Sequence, residues 1–495
     1  MSDRDGQLQE FGYSQQLRRE LRLRHLLAYG LVFMVPIAPM AIYGSVYAAS
    51  GGMVVGAYIV GVVALGFTAW SYAQMVDAFP LSGSVYNFAG RGISAPVGFL
   101  AGWMILLDYI LVPTLLYLVA SVALHATVSV VPVWVWLIGF VAANTVINTR
   151  GIKVTARFTI LMLAAELAVL ALYLGIGIWA VATGKGQFSF DPLFNTDTFT
   201  WSLLLGAAAV AVLSFLGFDA ISTLAEESRG GSRAVGLAMA AALGLAGVLF
   251  IAQTWVAAML TPDGAALVAG GDPEGTAFYD TARAAAGPWL ATVCAVATAI
   301  AWGLPDSMVA QVAVSRLLFA MARDKQLPSF LAKVSRRHNV PTNAILLVAV
   351  LSLGLGLVMA ARADGITVLA GLINFGALTA FLTLHAAVVW YYLIRRRSRR
   401  WIAHLLMPLT GAAILIAVIL NANIWAQRLG GAWITLGLII LAILYATGRR
   451  PQLSGFTPTG GGHTTTLPNP AGSRSNGSPH AGPHQPGAHQ AGAHR

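Results

Sequence analysis

Four carboxyl side chains stand inside long apolar runs of this sequence: Asp108, Glu166, Asp219 and Asp306. No Lys or Arg is embedded comparably deep. On insertion scales a central Asp costs roughly 2.5–3.5 kcal/mol, so these acids have to face a protein interior or a wet cavity. Without a basic partner they persist only if protonated, hydrogen-bonded, or neutralised by a positive group that comes and goes. Protons and organic cations fit that description. Tyr109 follows Asp108 directly, and a phenol beside a carboxyl can recognise an ammonium by hydrogen bond and cation–π contact. Other readings stand beside these. Asp219 follows Gly217 and has the chemistry of a helix cap, Asp306 follows a kinking Pro305, and only Glu166 has no local structural excuse. His125 and His385 read as structural histidines.

The elements that must position these acids are membrane helices. The 495 residues are 57% hydrophobic and 10% charged, well below the roughly 25% charged usage of a soluble domain. A window of about twenty residues predicts spans at 26–49, 53–78, 97–125, 132–149, 154–182, 200–227, 234–260, 288–321, 341–361, 366–394, 402–421 and 432–448. Twelve spans put both termini on one side. Twenty-six of the 30 Lys and Arg then share that side, leaving Lys185, Arg283, Arg362 and Arg428 opposite. By the positive-inside rule both termini are expected in the cytoplasm of a cell-membrane protein. The net charge of +11 is therefore a mark of orientation and not of nucleic-acid binding. The first span is too long for a cleaved signal peptide. The single cysteine, Cys294, excludes a disulfide framework or CxxC metal site. Residues 449–495 are read as a disordered cytoplasmic tail whose histidines are solvated, and no cofactor or metal is expected.

Two spans are interrupted. Val35-Pro36-Ile37-Ala38-Pro39 sits in the first and Ser214-Phe-Leu-Gly217-Phe-Asp219 in the sixth, where Pro and Gly disfavour continuous helix. Freed backbone groups are tolerated in hydrocarbon only where protein buries them or they line a cavity. Breaks at the first and sixth positions point to an inverted repeat of five helices with a site at the breaks. No GxxxxGK[ST], HExxH or GxSxG motif occurs, which argues against ATP coupling and hydrolytic chemistry.

The sequence resembles the amino acid, polyamine and organocation superfamily of secondary transporters over about residues 20–448, and within it bacterial putrescine importers. The resemblance is carried by Ser214–Ala220 with Glu226 and Glu227, Leu106–Tyr109, Val314–Leu318 with Arg323 and Asp324, Ile373–Leu378 and Leu405–Leu409. It implies an all-α fold of five plus five inverted helices and two more: 25–182 as first repeat, 183–394 as second, 395–448 as the added pair, after a tail of residues 1–24. It also implies a substrate site at Val35, Pro36, Ile37, Ala38, Pro39 and Met40 of the first break and at Phe215, Gly217, Phe218 and Asp219 of the sixth. Asp108 and Tyr109 of the third helix, with Asp306 and Ser307 of the eighth, complete it.

The sequence departs from that pattern twice. Amino-acid permeases carry a glycine-rich first break whose amides hold a carboxylate, whereas prolines here have no N–H to offer. Some proton-coupled relatives place a lysine thirteen residues after a Gly-x-Lys motif; here Gly151-Ile-Lys153 leads to Glu166. The expectation is a proton-coupled importer of a small organic cation such as putrescine, with Glu166 carrying the proton. An amino-acid permease or exchanger of the same fold, or a channel or membrane sensor, stays open.

Overall fold

The computed structural model describes residues 21–448, apart from 81–83, 151, 273–274, 324–326, 336–337, 339 and 363–364; side chains at 84, 126–127, 152–159 and 367 are likewise outside the description. The tail read at 449–495 lies outside the described residues. Among the described residues the protein is helical, and a single isolated β-bridge, Leu21 to Ser228, is the one extended pairing.

Ten of its helical segments are long and apolar enough to cross a membrane. An eleventh crossing is the bent pair α1 (Leu23–Met34) and α2 (Pro39–Ala49), which turn 55° at their junction. The twelfth is α6 (Val133–Thr149), whose 17 residues reach the lower limit for a bilayer crossing. The remaining spans run in order. They are α3 (Val54–Ala78), α5 (Ala95–Thr127) after the short α4 (Ser84–Gly92), α7 (Ile152–Ala182), α8 (Trp201–Ala211) with its continuation to Glu227, and α9 (Gly231–Leu260). After the short α10 (Gly264–Gly270) and α11 (Ala277–Ala286) come α12 (Pro288–Ala301) continuing into α13 (Ser307–Arg323), α14 (Thr342–Ala360), α15 (Gly365–Val389), α16 (Met407–Asn421) and α17 (Ile424–Ala446). Each of the twelve expected spans thus has a helical counterpart among the described residues.

Helix ends follow the sequence chemistry. Thr200 caps α8 by accepting from the Leu203 amide at 3.2 Å, Asp263 caps α10 through the Ala266 amide at 2.9 Å, and prolines stand in the first turns of α5, α12 and α16. Two long pairings organise the interior: α9 lies along α3, and α15 along α5. The last two helices pack outside this frame, α16 on α3, α8 and α15, and α17 on α5 and α15.

Apolar association gains little in lipid, so α17 needs specific contacts. Trp103 of α5 and Trp433 of α17 stack at 4.3 Å, and each indole N–H donates to the other residue's carbonyl at 2.9 Å. Gly437 leaves room for the Trp103 ring. Replacement Trp433→Ala should remove about 1–2 kcal/mol of interhelical bonding. A lower thermal midpoint in detergent with uptake retained is the expected result.

Candidate functional site

The first break begins where α1 runs into Val35, whose φ of 47° is a rare conformation for a β-branched residue. Strain of this kind amounts to roughly 1–3 kcal/mol and is held by its surroundings. Here the Pro36 carbonyl, cut off from any helical donor, accepts the side-chain amide of Gln253 on α9 at 2.9 Å. Three of the break's four amides are consumed locally: Val35 N–H donates to Val32, Ala38 to Val35 and Met40 to Ile37.

The second break unwinds over a 3-10 turn (Val212–Phe215), an extended Leu216 and Gly217 at φ 109°, before a longer 3-10 segment (Phe218–Glu227). Asn374 of α15 donates to the Ala209 carbonyl at 2.8 Å, and Ser214 shares a 3.1 Å bond with the Tyr58 hydroxyl of α3. The two breaks touch, because the Phe33 ring occupies the space a side chain at Gly217 would need.

A third irregularity carries Asp306. Around Pro305 the eighth crossing forms a π turn, Trp302–Asp306, between α12 and α13. Asn144 of α6 holds it, with Nδ2 at 2.9 Å from the Gly303 carbonyl and 2.7 Å from the Ser307 hydroxyl. One turn further on, Asn148 donates to the Met308 carbonyl at 3.0 Å and to Gln311 at 2.7 Å.

Where these irregular segments converge lies a narrow cavity of about 40 Å³, counted as space open to the centre of a water molecule. That holds a few waters. Of the expected site residues, Val35, Ala38, Asp108, Tyr109, Gly217 and Asp306 line it. Phe33, Met34, Ser214, Leu116 and Trp302 also line it, unforeseen as site residues. The lining carries two carboxyl groups, a phenol and an indole, and no basic side chain. Asp108 Oδ1 and Asp306 Oδ1 are both buried without a hydrogen-bond partner among the described residues.

The other expected residues stand behind this lining. Pro36, Ile37, Pro39 and Met40 are buried in the break. Phe215 packs on Phe250 and Tyr58, and Phe218 on Tyr72 and Phe381, with ring centres 4.9–5.9 Å apart. Ser307 is engaged by Asn144. Asp219, fully buried, accepts the Tyr109 hydroxyl at 2.8 Å and the Tyr72 hydroxyl at 3.4 Å. It thus orients the phenol that reaches the cavity. Glu166 lies apart, on α7, 4% exposed and with both oxygens unpartnered among the described residues, yet close enough to Asp306 for the two carboxyls to interact. His385 accepts or donates to Thr68 and Ser71 at 3.3 and 2.9 Å, and His125 bonds the Val131 carbonyl at 2.8 Å; both are structural.

The cavity is covered on both sides. Towards the amino-terminal side of the membrane, Arg316 pairs with Glu227 at 3.0 Å, and Leu21 bonds the backbone of Glu227 and Arg229. Towards the opposite side, Tyr43 and Tyr173 close on Phe278, while Asp272 accepts the Thr276 and Ala277 amides at the head of α11 and rests against Gly44.

A family model described as amino acid permease matches residues 25–448. The chain belongs to the amino acid permease family. The low-affinity putrescine importer PlaP of Escherichia coli K12 is 31% identical over 451 residues, covering 88% of this chain and 96% of that protein. The methylthioribose transporter of Bacillus subtilis is 26% identical over 76% of this chain and 82% of its own length. The branched-chain amino acid permease BcaP of the same organism is 24% identical over 86% and 93%. The protein is thus a multi-pass membrane transporter and not an enzyme, with the all-helical fold of its family.

Two outcomes follow from this geometry. Gly217→Ala forces a side chain onto a left-handed backbone and into the Phe33 ring. A cost of about 1–3 kcal/mol lowers uptake about tenfold or more in reconstituted vesicles. Gly66→Ala, on α3 with no atom within 4 Å, is the silent control. Burial holds the Asp272 carboxyl above the ordinary aspartate range, so ionising it destabilises the folded state as pH rises through that raised value. Asp272→Asn keeps the cap and drops the charge. Its thermal midpoint should exceed wild type at neutral pH, with the gap closing as pH falls below the ordinary aspartate range.

Proposed function

We propose that the protein takes up a small organic dication, putrescine being the best match, in exchange for the free energy of a proton gradient. The carrying observation is a cavity lined by two unpartnered carboxyls from different helices and by no base. Asp108 and Asp306 each receive one ammonium end of the substrate, and Tyr109, oriented by Asp219, adds a hydroxyl and a ring face. Bare carbonyls and carboxyls at a helix break suit a cation, whereas an anion needs free amides. In the first break two residues are proline and three of the amides are already spent on turns. That speaks against a carboxylate there and hence against an ordinary amino-acid substrate. The similarity to a putrescine importer supports the same reading.

Proton coupling is assigned to Glu166, which lies within electrostatic reach of Asp306 and has no partner of its own among the described residues. A proton on Glu166 and a cation on Asp306 influence one another through that proximity. With 26 of 30 basic residues on the terminal side, both termini lie in the cytoplasm and the protein resides in the cell membrane. Residues 25–182 and 183–394 form the two inverted halves, and 395–448 are accessory.

Proteoliposome uptake of labelled putrescine under an imposed inward proton gradient tests the proposal. Saturable, gradient-stimulated accumulation is expected, with Glu166→Gln losing the stimulation while binding stays within about threefold, a change below 1 kcal/mol. Gradient-driven accumulation of leucine with none of putrescine overturns the cargo. Unchanged pH dependence in Glu166→Gln overturns the role of that carboxyl.

A further inference from the structure

Glu166 also borders a second space, which its proximity to Asp306 does not explain. Helices α7 and α12 part along their outer edge to leave a groove of about 460 Å³, walled by Met162, Val169, Val293, Val296 and Ile300. Glu166 contributes the one ionisable side chain in its lining. The helices beside it carry lipid-type surfaces: Ile160, Leu161, Leu172 and Ile178 of α7 and Trp289 of α12 are exposed. The groove therefore opens to hydrocarbon, and Glu166 is a buried carboxyl at its edge whose two oxygens have no partner among the described residues.

We propose that this groove binds lipophilic primary amines dissolved in the bilayer, the amine meeting Glu166 and the hydrocarbon tail lying along α12. An amine enters hydrocarbon as the uncharged base. Whichever partner then holds the proton, amine and carboxyl share one N–H–O contact with no change in net charge, and one buried group without a partner gains one. From Thr292 to Ala301 the groove follows nine residue steps of α12, about 13 Å at 1.5 Å per residue, which suits a medium-length alkyl chain.

Lipid headgroups cannot supply the amine. Glu166 is fourteen residues from one end of α7 and sixteen from the other, about 21 and 24 Å along the helix. Glu166 thus stands near the middle of the helix, and a headgroup amine held at the bilayer surface would have to leave its layer to reach it. The groove and the central cavity have no lining residue in common, so an amine in the groove takes none of the space proposed for the cargo, and Glu166 is the one group both proposals use.

The test is thermal stabilisation of the full-length protein in lipid nanodiscs by octylamine, with octanol as a chain-matched probe lacking the amine. Octylamine should stabilise saturably, at concentrations at least tenfold below octanol. Val293→Trp, which fills the groove without touching the carboxyl, and Glu166→Gln should each weaken octylamine at least tenfold; if Glu166→Gln fails to reconstitute, Val293→Trp decides. Equal potency of octanol, full octylamine response in Val293→Trp, or competitive displacement by putrescine overturns the proposal. Loss of putrescine uptake with the octylamine response intact leaves this site standing and removes only the cargo assignment.

Discussion

Backbone polar groups in hydrocarbon must be satisfied from within the protein, and this requirement shapes the middle of the molecule. Around the cavity three crossings leave regular helix, at Val35–Ala38, at Val212–Gly217 and at Trp302–Asp306, while π turns also stand at Trp390–Arg395 and Ile402–Leu406 near the ends of two further crossings. Each departure has its own side-chain amide placed against a carbonyl, from Gln253, Asn374 and Asn144 respectively. The donors come from α9, α15 and α6, each regular α-helix at the donor residue. The irregular backbone around the cavity is therefore anchored to regular helix. Each anchoring amide spends its N–H and leaves its carbonyl oxygen buried without a partner among the described residues. A net bond of roughly 1 kcal/mol set against one orphaned acceptor is a small margin. Such joints favour one arrangement without locking it, which suits a protein that has to change shape around its cargo.

The twelve crossings were legible because length and hydropathy report burial in lipid almost directly, and even the short α6 stood out at 132–149. The breaks were legible as well, since Pro36, Pro39 and Gly217 act on the backbone locally. The partition of the site was not. Consecutive helical residues point about 100° apart, so whether Asp306 or Ser307 faces the cavity depends on how the helix is rotated against its neighbours. The π turn fixes that rotation: Asp306 looks in and Ser307 turns to Asn144. Asp219 read equally well as a cap or a ligand, and it is held by two phenols from α3 and α5, partners 147 and 110 residues away. Asn144 and Gln253 carried no signal, because a lone amide in an apolar run has no characteristic spacing, and Asn374 stood in the Ile373–Leu378 stretch that carries the resemblance without a role assigned to it. Val35 gave none either, since a strained φ on a β-branched residue is imposed by tertiary contacts.

Charge along the axis of the molecule is graded. At its middle the cavity holds carboxyl groups with no basic neighbour in the lining. On the amino-terminal side Glu227 is matched by Arg316, and Tyr29 lies within electrostatic reach of this pair and of Asp219. On the opposite side Asp272 is engaged by the amides of α11. A cation thus finds its strongest unmet attraction only at the centre. Passage through a membrane protein requires binding firm enough to draw the cargo in and weak enough to release it. Unmatched acids in series would hold a dication at each stage. Matched acids at the two covers and unmatched ones between them concentrate the attraction for a positive group at one point. Glu166 stands outside the lining of that cavity yet within electrostatic reach of Asp306, so its carboxyl takes none of the cavity's space.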